Sequence, residues 1–163
     1  MRDSLLAEFD NEMAKTRLVL SRVPEPAFAW KPHERSYSLG GLATHLAQLP
    51  HWGTQILDND AYDLASATKR ADDKLTRDDV LDTFDRHVQE VRARLLTMSD
   101  AELQAPWILK RGTHTLLSLP KMAAFRGFLL HHLIHHRGQM TVYLRLQNVP
   151  LPPLYGPTAD EVQ

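Results

Sequence analysis

Apolar residues recur three and four apart in four separated stretches, the spacing that places them on one face of a helix. Over residues 3–22 the stripe is Leu6, Phe9, Met13 and Leu20, with Glu8, Asp10, Glu12, Lys15 and Arg17 between them. Pro24 and Pro26 end that helix, because proline cannot continue the hydrogen-bond ladder. Residues 24–37 read as a loop holding Trp30, Pro32 and His33. Ser38 is a fitting N-cap for a second helix over about 39–57, striped by Leu42, His45, Leu49, Trp52 and Ile56. Pro50 falls inside it and predicts a kink or an earlier end.

The stretch 58–74 is polar and has no clear period, but is long enough to cross the end of a bundle. Thr76 predicts the start of a third helix over 77–97, with Asp78 and Asp79 where the helix dipole favours acid. Its stripe is Val80, Phe84, Val88, Val91 and Leu95. Ser99 and Glu102 have capping-box spacing and predict a short helix. Residues 104–118 read as two short extended pieces around Gly112. A fourth helix runs from Pro120, suited to a first helical position, to about Gln147. The proline-rich tail from Val149 to Pro157 is expected to lie extended on the bundle. No strand pattern is strong enough for a sheet core. The expectation is a single all-α domain over 1–163, a four-helix bundle with long crossover connections and a small extended hairpin-like segment near 104–118.

Composition narrows the chemistry. The 163 residues carry a net charge of −1 and no basic excess, which argues against a nucleic-acid partner and against a membrane surface. No run approaches the ~20 apolar residues that span a bilayer. The amphipathic, acidic N-terminus is unlike a signal peptide, so a cytoplasmic location is expected. With no cysteine, metal ligands must come from His, Asp or Glu.

Four of the nine histidines fall within residues 131–136. Two pairings four apart are open: His132 with His136, or His131 with His135. The first shares its stripe with Phe125, Phe128, Leu129, Met140 and Tyr143, and so reads as core-facing. The second lies among Ala124, Gly127, Gly138, Val142 and Arg145, small residues that would also admit another helix. His45 occupies the middle of the apolar stripe of the second helix, whereas His51 falls on the side of Thr44, Ala47 and Gln55 and is expected to be exposed. His45, His132 and His136 together would give three imidazoles in the core, leaving positions for water or substrate as catalytic sites do. A plain alternative stands beside this: His45 as a hydrogen-bonded core histidine. His33, His87 and His114 have no partner by spacing and read as surface or structural. Arg137 reads as a salt-bridge residue. Gln139 is placed either to orient a ligand histidine or to serve the fold. The His-Glu-x-x-His peptidase pattern is absent, because Leu133 stands where its glutamate would be.

The run His132-Leu133-Ile134-His135-His136-Arg137-Gly138-Gln139, followed by Thr141 to Arg145, resembles the signature of the DinB-like (YfiT-like) family of metalloenzymes. Trp30-Lys31-Pro32, Ser38 to Leu46 and Pro152 to Glu161 add to the likeness, which spans about residues 1–161. The resemblance implies an up-down-down-up four-helix bundle and a divalent metal, nickel or zinc, with iron or another ion as a further option. By position the ligands it implies are His45, His132 and His136. It also implies a homodimer. Among relatives are thiol-dependent transferases and isomerases that use low-molecular-weight thiols, and the family name reflects DNA-damage-inducible expression. The expected function is metal-dependent transfer chemistry on a small molecule, with activated thiol or water. The alternatives are a metal-dependent hydrolase or a non-catalytic metal-binding stress-response protein.

Overall fold

A computed structural model describes residues 1–66 and 76–161. The first helix, α1 (Arg2–Leu20), buries Leu5, Phe9, Met13, Thr16 and Leu20, so its core edge is centred on Leu5 rather than Leu6. Ser38 caps α2 (Leu39–Gln48), its hydroxyl accepting from the Gly41 amide at 3.0 Å. The second predicted helix is divided where Pro50 stands, and α3 (His51–Asp58) follows as a separate piece. The break agrees with the missing amide of proline. The polar stretch 58–74 is not featureless: Ala61–Asp63 form β1. The rest of that stretch, from residue 67, lies outside the described residues.

The third predicted helix has the expected bounds as α4 (Arg77–Thr97), closed at its start by reciprocal bonds between Thr76 and Asp79. Ser99 and Glu102 form the second capping box, at the head of α5 (Asp100–Gln104). Next come β2 (Pro106–Arg111) and β3 (His114–Pro120), paired antiparallel. Gly112 turns between them with φ +59°, a left-handed conformation that glycine adopts without a Cβ penalty. β1 pairs parallel with β2 to complete a three-stranded sheet in the order β1-β2-β3. The Asp63 carboxylate accepts from the Gly112 amide at 2.9 Å and ties β1 to the turn. The all-α expectation is corrected to this extent: the protein is mostly helical with a small sheet. β1 escapes the sequence reading because three residues carry too short a pattern to show alternation.

The last helical run is continuous in three parts, α6 (Lys121–Phe125), a π turn (Arg126–His131) and α7 (His132–Leu146). α1 and α2 each pack against both α4 and α7, while α3 packs against α4 and α6. Their shared core holds Leu5, Phe9, Leu42, Leu46, Phe84, Val91, Leu129 and Leu133, all about 1% exposed or less. α3 comes especially close to α4. A Cβ on Gly53 would lie 2.8 Å from the Val91 side chain and 3.1 Å from Leu129, so only glycine fits that crossing without movement.

Candidate metal centre

The break at Pro50 leaves α2 with an independent axis, and its His45 points across to α7. There the four-residue spacing sets His132 and His136 one above the other. Ring centroids stand 5.3 Å apart for His45–His132, 4.5 Å for His45–His136 and 4.7 Å for His132–His136. One nitrogen from each ring lies within 4.8 Å of the other two. His131 and His135 are exposed. His135 meets the trio only edge-on, 4.9 Å from His136. Of the two pairings open in the sequence, His132 with His136 is the one brought to His45.

The proton positions in this cluster are constrained. The Nε2 atoms of His132 and His136 face each other at 2.9 Å. The Nδ1 of His136 is 2.8 Å from Gln139 Oε1, an acceptor, so that nitrogen carries the hydrogen. The Nε2 of His136 is then unprotonated, and its lone pair points at His132 Nε2. A cation shared between the two nitrogens satisfies that arrangement, either a proton or a metal ion. Burial pushes His132 below the ordinary imidazole pKa, helped by the nearby His136. Burial lowers His136 as well, against the opposing bond to Gln139. Neutral imidazoles are the form that coordinates metal, so these residues suit a divalent ion.

Gln139 serves two rings at once. Its Oε1 accepts from His136 while its Nε2 stands 3.0 Å from Nε2 of His135. This is the orienting contact that ligand histidines commonly have.

Tyr37, at 52% exposure, is a site residue that pattern reasoning missed. Its ring stacks on His45 at 5.6 Å and 13° and meets His136 edge-on at 6.3 Å. The only sequence signal was an aromatic residue one position before the Ser38 cap. A second feature outside the sequence pattern is the π turn directly upstream of His132; such wide turns are frequent at functional sites. Arg137 is a buried ion-pair residue, as its reading from sequence has it, bonded to Glu12 on α1. His33 and His114 are exposed and outside the cluster. His51 is half-buried rather than exposed, and His87 is buried beside it.

A mostly helical protein with a small sheet and three converging imidazoles is the class that this fold and site define. Residues 1–163 match the DinB family throughout, and the chain belongs to that family. Its fold is similar to the crystal structure of a DinB-like protein, YjoA, from Bacillus subtilis. There the TM-score is 0.73 at 17% identity, covering 95% of this chain and 99% of the other. A DinB-like protein from Bacillus cereus ATCC 10987 is also similar, with a TM-score of 0.70 at 17% identity over 94% and 97% of the two chains. A 34-residue segment is 50% identical to part of YrdA from Bacillus subtilis strain 168. That match covers 21% of this chain and only about a fifth of the relative, 20% of its length. Among the described residues, no helix is long and apolar enough to cross a membrane.

Proposed function

We propose that His45, His132 and His136 hold a divalent transition metal, nickel or zinc, and that the protein is a metal-dependent enzyme acting on a small molecule. Thiol-dependent transfer with a low-molecular-weight thiol is the favoured reaction. On this reading α1, α2–α3, α4 and α6–α7 are the arms of an up-down-down-up four-helix bundle working as a cytoplasmic homodimer. The observation that carries it is the convergence of three imidazoles, with the Nε2 atoms of His132 and His136 facing at 2.9 Å and the Nδ1 of His136 held by Gln139.

Three protein ligands leave a coordination position open, the pattern of catalytic rather than structural sites. When bound, the ion would lower the pKa of a thiol or water and make it nucleophilic at neutral pH. Gln139 holds the His136 ring by its Nδ1 hydrogen. Tyr37, itself exposed, stacks its ring on that of His45. A non-catalytic metal-binding role in stress response is the second reading, favoured by a trio built of imidazoles alone.

The test is elemental analysis of untagged protein with H45A, H132A and H136A. Each variant is expected to lose one equivalent of metal. Unchanged metal content in all three rejects the site. Visible spectra of the cobalt form then separate the two readings. A shift on adding a low-molecular-weight thiol supports the enzyme, while unaltered spectra with a large fall in melting temperature on metal removal support the binding role.

A further inference from the structure

A second group of metal-ligating side chains lies outside the trio. His51 at the start of α3 and His87 and Glu90 on α4 each offer one ligand atom, all within 4.8 Å of one another. The pair on α4 is three residues apart and so shares a face. An imidazole and a carboxylate at that spacing are how bundle helices project metal ligands together. The interruption of the helix at Pro50 makes His51 the first residue of α3 and delivers its ring to the same point. The two imidazoles stand 5.4 Å apart, tilted by 42°.

Hydrogen bonds orient both rings. His87 is 7% exposed, and its Nδ1 is 3.1 Å from the Ala47 carbonyl, which can only accept. Its Nδ1 therefore bears the hydrogen and Nε2 is its acceptor nitrogen. A backbone carbonyl on the far nitrogen is the orienting contact typical of a ligand histidine. On His51, Nε2 lies 3.2 Å from the Gln55 amide nitrogen, a donor, and Nδ1 lies 3.5 Å from the Thr54 hydroxyl. Nε2 is thus its acceptor nitrogen, and an ion bound there would displace the Gln55 amide. Glu90 is exposed on the helix surface, 3.8 Å from Arg86, an ion pair that a metal ion would replace. A buried imidazole, a half-buried one and an exposed carboxylate form a set that can close on an ion by adjusting only its outer members.

We propose that His51, His87 and Glu90 form a second divalent transition-metal site, of two imidazoles and one carboxylate, clamping α3 to α4. Two nitrogens and one oxygen suit zinc, with a fourth position left to water. The site is independent of the three-histidine centre.

Zinc titration against a chromophoric chelator at neutral pH tests it, using wild type, H132A/H136A and H51A/E90Q. Wild type is expected to take up two equivalents and each double variant one. E90Q alone, at an exposed position, is expected to weaken one equivalent at least tenfold without changing the circular dichroism spectrum. Zinc is also expected to raise the melting temperature of H132A/H136A by several degrees, and that rise to vanish when E90Q is added. If H51A/E90Q binds as much zinc as wild type, or if folded H132A/H136A binds none, the second site is overturned. A single equivalent in wild type that survives H132A/H136A and is abolished by H51A/E90Q upholds this site while rejecting the three-histidine one.

Discussion

The guanidinium of Arg137 and the carboxylate of Glu12 meet at 2.5 Å across α7 and α1, at 1% and 6% exposure. The same guanidinium donates to the Glu12 carbonyl at 3.0 Å, to the Thr16 hydroxyl at 3.2 Å and to the Tyr155 hydroxyl. It fastens the helix that carries His132 and His136, one residue beyond the second of them. Removing one partner of a buried pair strands the other charge. R137A is therefore expected to cost about 3–5 kcal/mol in urea unfolding. A loss under about 1 kcal/mol would contradict the pair's role.

Glu12 also sets an acid limit on the fold. Burial raises its pKa, but the bonds from Tyr155 and Arg137, with the charge of Arg137 and Lys15, outweigh it and hold the carboxyl below its ordinary value. A depressed folded-state pKa gives stability that is present above the unfolded-state value and lost as pH falls through the folded one. Melting temperature should thus begin to fall below about pH 4.5, the ordinary value. E12Q, which cannot titrate, should show a shallower fall over that window. Parallel curves would refute the assignment.

Gln139 makes no contact in the trio except through the far side of a ring. Q139A leaves His136 without its Nδ1 acceptor, so the ring is free to rotate and change tautomer. Metal affinity at the three-histidine centre should fall about 10- to 100-fold, with the fold intact. A competition titration measures this, and equal affinity would reduce Gln139 to a surface residue.

Gly53 tests the closeness of α3 and α4. Alanine there must displace Val91, whose methyls would stand at 2.8 and 2.9 Å from the new carbon. Helix propensity favours alanine by about 1 kcal/mol, but overpacking is expected to win and leave G53A less stable by about 1–3 kcal/mol in chemical denaturation. A stabilised variant would mean that the helices separate freely.

Much of this architecture could be read from local chemistry. Thr76 with Asp79, Ser99 with Glu102, and Ser38 ahead of Gly41 mark helix starts by bonds within three residues. Pro50 divides a helix for a reason held in its own ring. The convergence of His45 with His132 and His136 was legible because spacing sets all three on apolar stripes, although the trio lies half-buried beside the core face, which on α7 is formed by Leu133, Arg137, Met140 and Leu144. What stayed hidden depends on partners far along the chain. β1 exists because Ala61–Asp63 find β2, some 47 residues later. His51 and His87 meet only because α3 crosses α4, and no spacing announces it. Tyr37 reaches the trio from a loop, where periodicity says nothing.

The π turn at Arg126–His131 fits one more residue than an α-helical path would need. It therefore acts as a phase shifter: the face presented after it is out of step with the face before it by about 100°, one residue's rotation in a helix of 3.6 residues per turn. Phe125 and Leu129 can seal the interior on one bearing while His132 and His136 turn toward α2 on another. Deleting a single residue from that turn would remove the surplus and leave the imidazoles on their bearing toward His45, whereas the same residues wound as a regular α-helix would swing them off it.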